Sequence, residues 1–152
     1  MKKMNNKGFS LVELIIVIAI MAILIVVLAP QYLKYVERSR NSTDLQSATE
    51  FKDAIEVWAA DPEAGTGGTT AFKNSDTFTI TATATGATVT GSGSDAVEDA
   101  LASGGLSLSN FKCTSKTRWD DMKLTGTVQS SGAIQWTYAS TNGDFAAAMG
   151  QP

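Results

Sequence analysis

The most prominent feature of the chain is an apolar run from Phe9 to Ala29, in which Glu13 is the only charge. A helix of about 20 apolar residues crosses the hydrocarbon core of a membrane. Many of these side chains are β-branched and favour strands in water, but a single spanning segment must satisfy its own backbone hydrogen bonds and is helical. Pro30 ends the run, and its missing N–H predicts a kink or local melting of the helix.

Beyond Gln31 the chain becomes polar, but helical spacing persists. Apolar residues at intervals of three and four predict one buried face: Leu45, Ala48, Phe51, Ile55 and Trp58. Charged residues are predicted on the other face: Asp44, Glu50, Lys52, Asp53 and Glu56. Asp61-Pro62 and the glycines at 65–68 stop the pattern. We therefore expect one helix from Phe9 to about Ala60, bent near Pro30, whose second half packs on a head.

The rest of the chain reads as a small β-rich head. Strict alternation predicts a strand over 77–85, with Phe78, Ile80, Ala82 and Ala84 on one side. Residues 87–90 continue or pair with this strand, and 94–101 form a short helix capped by Ser94. A hairpin is predicted from 122–128 and 133–138, turning at 130–132, with Leu124 and Trp136 facing the long helix. The fold class is therefore α+β, with a small antiparallel sheet on the helix's second half.

Composition excludes several kinds of chemistry. The 152 residues suggest one domain, and the formal net charge of −3 does not suit nucleic-acid binding. There is no histidine, which excludes serine–histidine and cysteine–histidine catalysis. The single cysteine, Cys113, cannot form an intramolecular disulfide, and we expect it to be a small buried apolar residue. We expect no enzyme, no cofactor and no metal site, which argues against an enzyme or receptor domain on a membrane stalk.

Glu13 decides between three interpretations of the N-terminus: a cleaved secretory signal, a simple anchor and a pilin-type signal. Ala29-Pro30 is a poor secretory cleavage site. A charge within a bilayer costs about 2.5–3.5 kcal/mol or more, which a simple anchor has no reason to carry. Two explanations of this charge are open. Glu13 either lies close enough to the membrane surface to stay hydrated, or it has a buried positive partner. A cut between Gly8 and Phe9 would create such a partner, the new α-amino group of Phe9.

The stretch from Lys7 to Leu14, KGFSLVEL, closely resembles the processing motif of type IV pilins and pseudopilins. The resemblance implies that a membrane-embedded peptidase cuts after Gly8 and methylates the new N-terminus at Phe9. It also implies that Glu13 pairs with the N-terminus of a neighbouring subunit. Pro30 matches the family position at which the helix can unwind as the subunit enters a filament.

The expected organisation has four parts: a removed leader (1–8), a transmembrane and filament-core helix (9–30), an amphipathic half-helix (31–61) and a β-rich head (62–152). The leader lysines, Lys2, Lys3 and Lys7, set the orientation in the membrane. By resemblance, the partners are further copies of the chain, the prepilin peptidase and methyltransferase, the membrane and its pilus assembly platform. The subunit is expected in the cytoplasmic membrane first and in a surface pilus after assembly.

Two functions share these assembly residues. A Thr-, Ser- and Gly-rich head suits a repeatedly exposed surface, which favours a major pilin for adhesion, motility or related roles. The alternative is a pseudopilin of a type II secretion or competence (DNA-uptake) system. Asp120 and Asp121 lack the spaced oxygen ligands of a calcium loop, which mildly disfavours a major secretion pseudopilin.

Two parts of the head leave choices open. Basic residues around Cys113 and Trp119 raise the option of DNA binding: Lys112, Lys116, Arg118 and Lys123. Because two acids lie among them, a solvated charged face is the favoured interpretation, and nucleic acid is not an expected partner. Many pilins close a C-terminal loop with a disulfide, and this chain departs from that pattern. Residues 141–152 are therefore either held by packing or loose.

Overall fold

A computed structural model describes residues 8–151. Residues 1–7, which include the leader lysines Lys2, Lys3 and Lys7, and Pro152 lie outside the described residues. The elements in chain order are α1 (Leu11–Ala60), β1 (Thr77–Thr83), β2 (Gly86–Gly91), α2 (Ser94–Ser103), β3 (Met122–Val128), β4 (Ile134–Ala139) and α3 (Phe145–Ala148). The strands form one antiparallel sheet in the order β2-β1-β3-β4. The predicted α+β class is confirmed.

The chain divides into two compact units, one up to Val36 and one from Glu37 onward. The first unit contains the apolar start of α1. Pro30 lies inside this helix, and the residues on both sides of it are helical. The structure therefore shows no local melting at Pro30, and the alternative expectation, a kink, stays a prediction. A proline removes only its own hydrogen bond to the preceding turn, and the flanking bonds keep the segment helical.

The second unit is built around one apolar core. α1 contributes the predicted buried face, in which Ala48, Phe51, Ile55 and Trp58 are buried and Leu45 is partly buried. The sheet contributes the inward side of its two central strands: Phe78, Ile80 and Ala82 from β1, and Met122, Leu124 and Val128 from β3. α2 adds Val97, Ala100 and Leu101. The sheet thus packs on α1 as the periodicity predicted.

The hairpin predictions are confirmed. β3 has the predicted bounds, and β4 lies one residue later than expected. Trp136 faces α1, where its indole Nε1–H donates to Glu56 over 2.8 Å. Residues 86–91 pair with β1 as a separate strand. Ala84 is exposed, contrary to expectation, because β1 ends at Thr83 and the turn toward Gly86 follows.

Two further predictions are wrong. Asp44 was expected on the solvated face of α1, but it is fully buried at 0% exposure. Ser94 was expected to cap α2, but the helix already includes it, and the capping position is occupied by Gly93 without a side-chain hydrogen bond. The hydroxyl of Ser94 instead donates to the neighbouring Asp95 side chain over 3.4 Å.

Candidate functional site

The start of α1 is held by a reciprocal pair of hydrogen bonds. The backbone N–H of Ser10 donates to Glu13 Oε2 over 2.8 Å, and the backbone N–H of Val12 donates to Ser10 Oγ over 3.3 Å. This arrangement is a variant of the capping box: Glu13 accepts from the N–H of the capping residue, and Ser10 accepts from the second helical N–H, that of Val12, instead of the third. The Ser-x-x-Glu spacing is a known sequence signal for it. Our sequence analysis missed this role of Glu13.

The cleavage residues predicted by resemblance lie just before this cap. Gly8 and Phe9 are non-helical and exposed, and Phe9 is 90% exposed. An added Cβ on Gly8 would meet no atom within 4 Å. Among residues 8–151, nothing shields the peptide bond between Gly8 and Phe9, and cleavage at this bond stays a prediction. Within a single copy, Glu13 pairs with the Ser10 N–H, and its predicted amine partner belongs to another copy.

Apart from Glu13, the surface of α1 from Leu11 to Leu28 is apolar on every side. Nearly all its large side chains are more than half exposed: Leu11, Val12, Leu14, Ile15, Ile16, Ile18, Ile20, Met21, Ile23, Leu24, Ile25, Val26, Val27 and Leu28. The helix is long and apolar enough, by length and composition, to cross a membrane. A helix that is hydrophobic all round requires an apolar environment, either lipid or other helices.

Within the second unit, Asp44 is the centre of a buried hydrogen-bond network. The N–H of Thr114 donates to Oδ1 over 2.8 Å, and the N–H of Ser115 donates to Oδ2 over 2.9 Å. The Trp119 indole donates to Oδ2 over 2.8 Å, and the Thr114 hydroxyl donates to Oδ1 over 2.6 Å. Every partner is a donor, as suits a carboxylate, which only accepts. The network fixes the segment before β3 against α1.

A second carboxylate on α1 holds the same segment. Glu37 accepts hydrogen bonds from the Lys116 N–H over 3.1 Å and from the Thr117 hydroxyl over 3.3 Å, and it pairs with Arg40. The backbone bond from Lys116, together with Arg40, lowers the pKa of Glu37. The segment 114–117 is therefore attached to α1 at two places, and it exposes its basic side chain, Lys116, to solvent.

Cys113 lies at the inner side of this segment. Its side chain is buried and its thiol approaches Asp44 Oδ2 at 3.7 Å, which agrees with the prediction of a small buried residue. Burial, and then the nearby Asp44 carboxylate, raise the pKa of the Cys113 thiol to about 12. A thiol with such a pKa is almost entirely protonated at neutral pH and is a poor nucleophile.

The predicted basic cluster separates into paired and unpaired residues. Arg118 makes a two-pronged ion pair with Asp144, with N–O distances of 2.8 and 2.9 Å. Lys123 lies 3.3 Å from Asp121. Within residues 8–151, Lys112 and Lys116 have no carboxylate at ion-pair distance. Half of the cluster is thus engaged in holding the head together.

The side chains of Asp120 and Asp121 point in different directions, as expected for adjacent residues. Asp120 accepts from the Asn142 amide, whereas Asp121 accepts from the Thr141 N–H and hydroxyl. Burial acts to raise the pKa of Asp121, but the bonds from Thr141 and Lys123 outweigh it and lower the pKa. Both carboxylates therefore serve to fix the loop that follows β4.

The C-terminal region is packed rather than loose. Phe145 is fully buried, with its ring 5.5 Å from Trp119 and 6.2 Å from Tyr138. The side-chain amide of Gln151 accepts from the Tyr138 N–H over 2.7 Å and donates to the Trp136 carbonyl over 2.9 Å. Because β4 is an edge strand, this amide occupies backbone groups that another strand could otherwise bind.

A family model matches the N-terminal part of the chain, and fimbrial sequences match the chain over about two fifths of its length. Residues 3–29 match the family model of the prokaryotic N-terminal methylation motif. Two sequences of the type IV major fimbrial protein FimA of Dichelobacter nodosus are similar, at 40% identity over 63 residues and 42% over 64 residues. Fimbrial protein EcpC of Eikenella corrodens is 42% identical over 71 residues. These findings support the type IV pilin family that the sequence resembles.

The similarity is limited to part of each protein. It covers 41% of this chain and 40 or 41% of the two FimA sequences, and 42% of this chain and 46% of EcpC. The matched part thus spans about two fifths of the length of these relatives. No solved structure matches the chain.

Proposed function

We propose that this chain is the structural subunit of a type IV pilus, which polymerises through its N-terminal helix into a surface filament. The observation that carries the proposal is the all-round apolar helix with one carboxylate in its first turn, within a segment that matches the N-terminal methylation motif. The fimbrial relatives support the same function. A major pilin is favoured over a pseudopilin because the relatives that match are named as fimbrial proteins.

The proposed mechanism begins with the subunit in the cytoplasmic membrane, where the apolar residues of α1 face lipid. The prepilin peptidase cuts after Gly8, and the new amine of Phe9 is methylated. Methylation keeps the amine charged, so it remains a partner for a carboxylate. The assembly platform then transfers the helix from lipid to a bundle of like helices, so the apolar side chains exchange one apolar environment for another.

The charges of Glu13 and of the new Phe9 amine favour the helix bundle over the lipid. Among residues 8–151 of the free subunit, the Glu13 carboxylate accepts a hydrogen bond only from the Ser10 N–H, and a charge at this depth is costly in lipid. A bundle offers the carboxylate the Phe9 amine of a neighbouring copy. An ion pair in a low-dielectric environment is stronger than in water, and removing one partner leaves the other buried and unpaired. Pairing of Glu13 with Phe9 would therefore set the register between subunits.

Electron microscopy and mass spectrometry of filaments sheared from expressing cells test the proposal. We expect long filaments whose subunit begins at N-methyl-Phe9. A processed subunit that stays in the membrane fraction without long filaments would favour the pseudopilin alternative. A subunit that retains residues 1–8 would contradict the processing scheme for both functions.

A further inference from the structure

The loop between β4 and α3 contains an asparagine followed by a glycine, Asn142-Gly143. Of the asparagines in the sequence, only Asn142 precedes a glycine. Both residues are exposed, so solvent reaches the asparagine side chain. Asparagine is among the chemically labile residues, because the backbone nitrogen of the next residue can attack its side-chain carbonyl carbon. A side chain on that next residue hinders the attack, and glycine has none.

The fold requires glycine at position 143. Its φ of 98° lies in the left-handed region that favours glycine, and an added Cβ would overlap the carbonyl oxygen of Arg118. Gly143 also forms an isolated antiparallel bridge with Trp119, which brings the two backbone segments together. The unhindered backbone nitrogen beside Asn142 is therefore a consequence of how the loop packs on the segment before β3.

The side-chain amide of Asn142 has a partner that a carboxylate could not keep. Its Nδ2 donates to Oδ2 of Asp120, and both side chains are exposed. A carboxylate only accepts hydrogen bonds, so at this position it would face a second acceptor of the same charge. The residues on either side keep separate contacts, because Thr141 donates to another carboxylate and Asp144 pairs with an arginine. Loss of the amide would thus make one contact of the loop repulsive and leave its neighbours in place.

We infer that Asn142 is a site of spontaneous deamidation, in which water converts its side-chain amide to a carboxyl group. The backbone nitrogen of Gly143 attacks Cγ of Asn142, and the new bond closes a five-membered succinimide ring. The bond from Cγ to Nδ2 breaks, and this nitrogen takes up the proton that the Gly143 N–H gives up and leaves as ammonia. Water then opens the ring at either carbonyl, which leaves aspartate or isoaspartate.

Ring closure in the folded chain requires only a local opening of the loop. The contacts that must break are the bridge from Gly143 to Trp119 and the hydrogen bond from Asn142 to Asp120. Surface loops open at a small fraction of the free energy of global unfolding. The buried ring of Phe145, which anchors the chain just beyond the loop, can stay in place. Each molecule therefore gains a negative charge beside Asp120 as it ages, without unfolding of the head.

Mass spectrometry of the purified full-length chain in detergent, aged at pH 8 in water enriched in heavy oxygen, tests this inference. We expect Asn142 to lose its amide and take up solvent oxygen, while Asn74 and Asn110, which precede serine and phenylalanine, convert many times more slowly. Labelling by isoaspartyl methyltransferase should increase at the same position. Asn142→Gln is the matched control and should keep its amide, because glutamine would have to close a larger ring.

A folded chain that keeps the Asn142 amide as long as it keeps the Asn74 amide would overturn the inference. A parallel sample in guanidinium chloride identifies the reason, since conversion in that sample alone would show that the folded loop protects Asn142. These measurements use the isolated chain, so their outcome is independent of filament formation and of the proposed function.

Two variants test the consequence for the contact with Asp120. Asn142→Asp reproduces the aspartate product and should lower the midpoint of thermal unfolding by about 1–4 °C, a small shift because both carboxylates are exposed. Asp120→Asn/Asn142→Asp exchanges the amide and its acceptor and should recover the wild-type midpoint. A wild-type midpoint for Asn142→Asp alone, or no recovery in the double variant, would contradict the repulsion between the two carboxylates.

Discussion

Replacing Asp44 by alanine should destabilise the head more than any other single carboxylate substitution on α1. The change removes the acceptor for two buried donors, the Ser115 N–H and the Trp119 indole N–H, and for the Thr114 groups nearer to solvent. An orphaned buried donor costs about 1–3 kcal/mol, so the two buried donors together predict a loss of about 2–6 kcal/mol. This is a large part of the total stability of a small domain, about 5–15 kcal/mol.

Denaturant unfolding of the full-length chain in detergent, followed by tryptophan fluorescence, measures this loss, because Trp119 is itself a partner of Asp44. Asp53→Ala, an exposed carboxylate on the same helix, should change the free energy of unfolding by no more than about 0.5 kcal/mol. Asp44→Asn should cost less than Asp44→Ala, because its amide oxygen can still accept from Ser115 and Trp119, which both donate to Oδ2. Its NH₂ group then faces the Thr114 N–H, which loses its acceptor. A cost of Asp44→Ala within about 0.5 kcal/mol of the Asp53→Ala control would refute the claim that the network holds the segment.

The contacts within the head lead to three further testable predictions. The thiol of Cys113, buried and with a pKa raised to about 12, should react with iodoacetamide at pH 8 many times more slowly in the folded chain than in urea, and equal rates would contradict its burial. Gly126→Ala should destabilise the sheet by about 1–3 kcal/mol, because an added Cβ would lie 2.3 Å from the Phe78 ring, and thermal unfolding measures the loss. The pKa values of Asp121 and Asp144 are lowered in the folded head. At a pH above their unfolded pKa values, the two ionised carboxylates therefore stabilise the folded head. This stabilisation is lost as the pH falls through their pKa values in the folded head. Thermal unfolding temperatures should accordingly be constant near neutral pH and fall below about pH 4, and an unchanged temperature at pH 3 would contradict this assignment.

The sequence predicted the elements because their patterns are local. The buried stripe from Ala48 to Trp58 repeats at helical spacing, and the inward residues of β1 and β3 alternate. The small turn after Val128 and the absence of prolines within the strands also agree with the sheet. Helical spacing, strand alternation and turn residues all indicated the same arrangement, and together they predicted the α+β class.

The sequence could not predict the role of Asp44 because its partners lie about 70 residues away along the chain. A lone acid beside an apolar stripe usually marks the solvated edge of a helix, and that is where we expected it. Its burial depends on four donor groups from three residues of one later segment, Thr114, Ser115 and Trp119, converging on one carboxylate. Such convergence is a tertiary event with no local signature.

Glu13 shows the opposite case, in which a local signal was present and was not used. The Ser10-x-x-Glu13 spacing predicts the capping box that the structure contains. Two roles for Glu13 therefore need to be separated: capping the helix within one copy and binding the amine of another copy.

Comparison of Glu13→Gln with Glu13→Ala tests the central claim most directly. Glutamine keeps an oxygen that can accept the Ser10 N–H and so preserves the capping box, but it removes the charge. Alanine removes both. Electron microscopy of filaments sheared from cells with equal subunit levels gives the readout. If Glu13 pairs with the Phe9 amine of a neighbouring subunit, both variants should lose the filaments. Wild-type numbers of filaments from the Glu13→Gln variant would show that capping is the role of Glu13, and would contradict assembly through this charge.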